Sequence, residues 1–261
     1  MQVMHGGRVS HTAINGADRI VAPSAIAVQG EAHTPQGKLP YPVPHALTPD
    51  ELAHTRDAFV SASRRAVDAG LDGVEVHGAN GYLIHQFLAP GSNHRTDQYG
   101  GSAENRVRFA LEVTRAVAEA IGADRVGIRI SPAHNIQGAT EEDPADVAAT
   151  YRLLVEGLAP LGLAYLSILA DPKQDLIQEL RRSFGGVVIA NDGFGEITTR
   201  ESAQEILDKD LADAVAVGRL FLANPDLPAR WRTGGELNEP NEDTFYGGGA
   251  EGYTDYPFLD S

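Results

Sequence analysis

The sequence predicts an α/β fold, a (β/α)8 TIM barrel with about six of its eight strands present. Three observations carry that prediction. From residue 70 onward, short β-branched runs alternate with helical stretches of about 10–20 residues, the pattern of βα units whose strands lie parallel. Polar and turn-forming residues gather directly after those runs, at the carboxyl ends of strands, where a β/α barrel keeps its chemistry. The chain of 261 residues with 42% hydrophobic content suffices for one large core, so a single domain over 1–261 is expected.

Taken in order, Met1–His5 reads as the end of a strand. Residues 6–47 are rich in Gly and Pro with little periodicity, and Ile20–Val28 and Lys38–Val43 are expected to form a hairpin set across the barrel. Thr48-Pro49-Asp50-Glu51 is a capping box with proline at the first helical position, opening a helix that runs to about Ala69. Strands follow at Gly73–Val76, Arg125–Ile130, Ala164–Leu169, Val187–Ala190 and Ala214–Val217. Between them, Ser102–Ile121 repeats apolar residues at helical spacing, and Pro144–Leu158, Lys173–Phe184 and Thr199–Leu207 are further helices. A closed barrel needs eight strands. The shortfall falls at the amino end, so the expectation is a barrel domain shortened by two βα units.

Composition narrows the function classes. The absence of cysteine excludes disulfides, thiolate nucleophiles and cysteine zinc sites. Together with the lack of a basic-then-apolar opening, it sets cytoplasmic as the expected location. A net charge of −15 offers no basic footprint for nucleic acid. The longest apolar runs, such as Val187-Val188-Ile189-Ala190, are strand-length and too short to cross a bilayer. The histidines show no HExxH-like spacing, so no metal is assigned. No serine sits in a G-x-S-x-G elbow.

The richest stretch is Glu75-Val76-His77-Gly78-Ala79-Asn80-Gly81-Tyr82-Leu83. His77 and Asn80 flank a tight turn after a strand, and both can donate to one ligand oxygen, polarising a carbonyl or nitro group. The Tyr82 phenol, two residues on, can deliver a proton nearby. Each residue alone reads equally as a packed histidine, a turn-forming Asn-Gly pair and a core tyrosine. Arg129 lies inside a strand between Ile128 and Ile130. It is expected either to pair internally, with Glu75 as the candidate, or to face a ligand that gains negative charge. Asn191-Asp192-Gly193-Phe194 and Gly218-Arg219 follow the last two strands, where barrels form their phosphate site. Glycine lets the backbone approach a phosphate and arginine pairs with it bidentately. Phe87–Phe109 is dense in polar and turn residues, with Ser102, Asn105 and Arg106 expected to start a helix and pin the preceding loop.

On these residues the chain resembles the old yellow enzymes, the FMN-dependent ene-reductases, and is most similar to the bacterial alkene and N-ethylmaleimide reductase branch. The marks are Gln2-Val3-Met4-His5-Gly6-Gly7-Arg8, the His77–Leu83 and Phe87–Phe109 segments, Gly127-Ile128-Arg129-Ile130-Ser131-Pro132 and Val217-Gly218-Arg219. Asn224-Pro225-Asp226-Leu227 and the Thr244–Pro257 tail add to them. The resemblance covers residues 1–261.

It implies FMN as cofactor, NADPH or NADH as reductant and a small electrophilic alkene as substrate, an α,β-unsaturated carbonyl or nitro compound. Gln2 would bond the pyrimidine edge of the flavin, and Arg129 would stabilise negative charge on the reduced ring. Gly193, Gly218 and Arg219 would hold the phosphate, with Asp192 and Phe194 beside it. His77 and Asn80 would hold the activating oxygen, Tyr82 would be the proton donor, and Phe245 and Tyr246 would line the pocket. Asp192 stands where many relatives carry a small residue. Family members also carry two βα units ahead of the Gln-x-x-His strand. The alternative expectation is therefore a noncatalytic barrel remnant that holds no flavin, and a flavin-free phosphate-site barrel enzyme is a third.

Overall fold

The structure, a computed structural model, describes residues 1–193, 195, 197–246 and 249–259. Six strands form one parallel sheet in chain order: Gln2–Val3, Val74–Gly78, Val126–Ile130, Tyr165–Leu169, Val188–Asn191 and Ala214–Val215. All six match strands expected from the sequence, to within three residues at each end. The first and last strands are the two edges of this sheet.

Alternation along the strands sorts the side chains onto two faces. Val74, Val76, Val126, Ile128, Ile130, Leu166, Ile168 and Val188 belong to the main core cluster. Helices supply the other side of that core: Phe59 from Pro49–Asp68, Val113 and Val117 from Arg108–Ile121, Tyr151, Leu154 and Leu158 from Pro144–Leu158, and Leu180 from Asp175–Phe184. The opposite face carries Gln2, Glu75, His77, Gly127, Arg129, Tyr165, Ser167 and Asn191, as the register requires. One face is thus a closed apolar layer, and the other gathers these polar groups alongside Leu169 and Ile189.

Local chemistry explains the helix starts. Thr48 Oγ1 accepts from the Glu51 amide while the Glu51 carboxylate accepts from the Thr48 amide, and Pro49 opens the helix that ends at Asp68. Such a cap contributes about 0.5–2 kcal/mol. Asp143 caps Pro144–Leu158 by a single bond, its carboxylate accepting from the Ala145 amide, with proline again in the first turn.

Two expectations fail. The hairpin is not Ile20–Val28 with Lys38–Val43. Glu31–Thr34 pairs antiparallel with Gly37–Pro40, and Val21–Ala22 pairs parallel with His45–Ala46. Ile20 and Val28 are buried outside any strand, and the Pro35-Gln36 turn sets the actual pairing. The Ser102–Ile121 helix is also divided, into Ala103–Arg106 and Arg108–Ile121. The loop before it is pinned by Asn105 Nδ2 on the Gly100 carbonyl at 3.0 Å and Arg106 Nε on the Leu88 carbonyl at 2.9 Å, while the Ser102 side chain makes no cap bond.

Candidate active site

The polar face acquires a cavity at the carboxyl ends of the last strands. It measures about 500 Å³ and is lined by Arg129, Asn191, Gly193, Ile197, Thr198 and the segment Ala216–Arg219, with Glu242, Phe245 and Tyr246 at its rim. This is within the range of about 300–1,000 Å³ typical of small-ligand sites. Gly193 has φ +119, a conformation L side chains rarely adopt, and a Cβ added at Gly193 or at Gly218 meets no atom within 4 Å. Both glycines border a space that a ligand's polar end can approach closely.

Arg219 lines this cavity, and so does a second cation, the strand-borne Arg129. Its Nη2 donates to Asn191 Oδ1 at 3.1 Å and its Nη1 to Ser167 Oγ at 3.3 Å. Asn191 is held in turn by its Nδ2 on the Ala216 carbonyl at 3.2 Å. The internal ion pair with Glu75 does not form: among the described residues no carboxylate lies within 4.0 Å of Arg129, and Glu75 instead accepts from Gln2 Nε2 at 2.6 Å. Burial pushes the Arg129 guanidinium down from its ordinary range, and the charge of Glu75 partly opposes this. A half-buried cation held by neutral partners keeps a net positive charge for an incoming anion.

His77 is the register partner of Arg129 on the neighbouring strand, so the two sit side by side. Burial, then the charge of Arg129, then that of His85, lower the His77 imidazole to about 4. At neutral pH it is therefore uncharged and carries one N–H. His77 Nδ1 and Asn80 Oδ1 are buried without a hydrogen-bond partner among the described residues. Asn80 takes the left-handed conformation, φ 60. The Tyr82 ring stands 5.2 Å from the His77 ring, tilted by 49°.

The sequence-derived candidates therefore fall into groups. Arg129, Gly193, Gly218, Arg219 and Tyr246 share the cavity, although Tyr246 is 99% exposed. His77, Asn80 and Tyr82 cluster at the end of the adjacent strand. Asp192 turns its carboxylate to Thr198 Oγ1, which donates at 3.0 Å, so it need not oppose an anion in the cavity. Gln2 lies on the edge strand beside Glu75, outside the cavity lining. Phe194 lies outside the described residues. Ser167 and Thr198 are not singled out by the sequence, and Asn191 figures there only as the start of the phosphate-site segment, not as a partner of Arg129. Their signal is available in hindsight: Ser167 and Asn191 are polar residues in apolar strands, on the alternation face of Arg129.

Among the described residues, no group of three or more His, Asp or Glu side chains could hold a metal ion, and no helix is long and apolar enough to cross a membrane.

Residues 1–238 match the model of the NADH:flavin oxidoreductase / NADH oxidase family. A probable flavin mononucleotide-dependent alkene reductase of Leishmania infantum is 44% identical over 268 residues, covering 99% of this chain and 72% of that protein. An old yellow enzyme homologue from Zymomonas mobilis superposes with a TM-score of 0.91 at 38% identity, covering 99% of this chain and 73% of the other. Morphinone reductase in complex with tetrahydroNAD gives a TM-score of 0.89 at 45% identity, covering 100% and 72%.

Proposed function

Because this chain belongs to the NADH:flavin oxidoreductase / NADH oxidase family, we propose that it reduces the activated C=C bond of α,β-unsaturated carbonyl or nitro compounds, with bound FMN and a nicotinamide as reductant. The observation that carries the reading is the adjacency of His77 and Arg129 on neighbouring strands. It sets a buried neutral imidazole with an amide and a phenol beside it against a cavity that contains a cation and two open glycines.

The residues present fit FMN. Arg219 and the backbone at Gly193 and Gly218 would hold the phosphate, with Asp192 beside it. Gly193 and Gly218 offer free space where a Cβ would stand. Arg129, whose neighbours Ser167 and Asn191 are uncharged, would balance negative charge on the reduced ring, and Gln2 on the same face would bond the ring edge. FMN, when bound, supplies the hydride that goes to the alkene β-carbon.

His77 and Asn80 would each donate one hydrogen bond to the substrate's carbonyl or nitro oxygen. Charge develops on that oxygen in the transition state, so donors fixed in advance lower the barrier more than they tighten the ground state. Neutrality of His77 at working pH keeps its N–H a hydrogen-bond donor rather than a proton source. Tyr82 would give its phenolic proton to the α-carbon as a general acid. Phe245 and Tyr246 would line the ring side of the pocket.

NADPH or NADH is the proposed reductant, docking where the alkene docks, since the sequence holds no dinucleotide fingerprint after a strand. The proposed location is the cytoplasm, which suits a chain that requires no disulfide.

The test is direct. The purified chain, loaded with FMN, is mixed with NADPH without oxygen and then with cyclohexenone. Loss of the yellow colour followed by its return with saturated ketone as product is expected. A flavin that stays oxidised, or that cyclohexenone does not reoxidise, overturns the reading.

A further inference from the structure

Four side chains hold the four backbone polar groups of the Asn80–Gly81 turn. The Asn80 amide donates to Ser131 Oγ at 2.9 Å, and the Asn80 carbonyl accepts from Gln137 Nε2 at 3.1 Å. The Gly81 amide donates to His85 Nδ1 at 2.8 Å, and the Gly81 carbonyl accepts from Gln86 Nε2 at 2.7 Å. Among the described residues none of these four groups has a backbone partner. Both residues are left-handed, with φ 60 and 77, a conformation that asparagine tolerates better than most side chains and that these contacts hold in place. A Cβ at Gly81 would stand 2.9 Å from the Ile136 carbonyl oxygen and 3.0 Å from Gln137 Cβ, so the turn is seated tightly against the 131–137 loop.

His85 occupies a distinct place in this clamp. Its side chain is fully buried, and its Nε2 makes no hydrogen bond among the described residues, the nearest carboxylate oxygen being Glu141 Oε2 at 3.4 Å, on a side chain itself 2% exposed. Glu141 Oε2 accepts from the Ala133 amide at 2.8 Å and from the Tyr151 hydroxyl at 3.3 Å. A neutral imidazole has one donor and one acceptor nitrogen. Because Nδ1 accepts from Gly81, the proton belongs on Nε2, the side that faces the carboxylate. With the proton on Nδ1, two donors would meet and the Gly81 amide would be left buried without an acceptor.

We propose that His85 is a positioning residue: with its tautomer set by the Gly81 amide on Nδ1, it holds Gly81 and so keeps Asn80 in the left-handed turn that aims its amide into the site. The assignment of Asn80 to the ligand oxygen rests on the function proposed above. The tautomer and the clamp rest on the geometry alone. His85 touches no ligand and acts through the turn.

The test uses the FMN-loaded chain and two variants. His85→Asn keeps an acceptor oxygen near the place of Nδ1, and His85→Leu removes it. In the wild-type chain, nitrogen-15 NMR of the imidazole is expected to show Nδ1 unprotonated and Nε2 protonated. A protonated Nδ1 overturns the proposal, and this readout needs no variant to fold. Hydrogen exchange at the Gly81 amide is expected to be about tenfold faster in His85→Leu, the equivalent of one lost hydrogen bond, and slower again in His85→Asn. Equal Gly81 exchange in folded wild-type and His85→Leu chains overturns the proposal as well. p-Chlorophenol binding, read from the flavin spectrum, should weaken about tenfold in His85→Leu at unchanged FMN content and recover in His85→Asn. Unchanged binding in His85→Leu contradicts the link from turn to site. A wild-type chain that binds no phenol contradicts the proposed function instead, leaving the NMR and exchange results to judge His85.

Discussion

The rings of His77 and Tyr82 lie 5.2 Å apart with their planes tilted by 49°. Four residues separate them in sequence, and the left-handed Asn80–Gly81 turn between them folds the phenol back beside the imidazole. One local excursion after the Val74–Gly78 strand thus brings two kinds of polar group to a single place. The imidazole is neutral at physiological pH and fixed in a strand, while the phenol sits at the start of the Leu83–Leu88 helix.

The first prediction concerns the phenol. Tyr82→Phe should slow the alkene half-reaction by about 10²–10⁴-fold, the usual worth of a positioned general acid. Flavin reduction by NADPH should stay within a factor of a few. Stopped-flow measurement of the two half-reactions separates the effects, and equal loss in both contradicts the proton-donor role.

A second prediction concerns the donor pair. His77→Ala combined with Asn80→Ala should weaken phenol binding to the FMN-loaded chain by about 10–100-fold, since each donor contributes about 0.5–1.5 kcal/mol net. Titration of the flavin spectrum reads this directly. Unchanged affinity removes both residues from the ligand site.

Stability should carry the signature of His77. Its imidazole titrates near 4 in the folded chain, against an ordinary value of 6.5, with burial the main cause. The unfolded chain therefore takes up a proton first as pH falls, so this group's contribution is complete above about pH 6.5 and is lost toward pH 4. At full extent the loss is about 3 kcal/mol. Urea unfolding of wild type and His77→Gln at pH 7 and pH 4.5 should show wild type losing more on acidification. Parallel losses would contradict the burial argument.

Gly127 supports the polar face mechanically. A Cβ there would stand 2.4 Å from the Tyr165 ring. That phenol is pushed up to about 12 by burial and then by the Glu75 carboxylate. Gly127→Ala should destabilise the fold by about 1–3 kcal/mol, the range for overpacking, as read from the urea midpoint. A midpoint equal to wild type would show that the ring moves aside freely.

Much of this was legible in the sequence because it is local. Strands such as Val126–Ile130 announce themselves by β-branched runs, and Pro144–Leu158 by its Asp143-Pro144 start. His77, Asn80 and Tyr82 lie within six residues of one another, so their meeting needs only a turn. The early hairpin was misread because alternation is weak between residues 6 and 47 and packing, not ladder pairing, buries Ile20 and Val28. Ser131, Gln137 and Glu141 were not legible as supports of Asn80, since their polar side chains look like ordinary loop residues. The fold brings the 131–141 segment against a turn some fifty residues earlier. Arg129 was foreseen as an inward-facing cation, but its partners Ser167 and Asn191 come from two other strands, and no spacing rule selects them.

The central claim is that the cavity between Arg129 and the Gly193 and Gly218 loops takes FMN. Equilibrium titration of the folded, flavin-free chain with FMN tests it most directly. Saturation at one FMN per chain is predicted, with a dissociation constant of about 1 µM or tighter, weakened at least about tenfold in Arg219→Ala through loss of a charge-assisted phosphate contact. A chain that unfolds cooperatively, and so is folded, yet shows no saturable FMN binding would contradict the account.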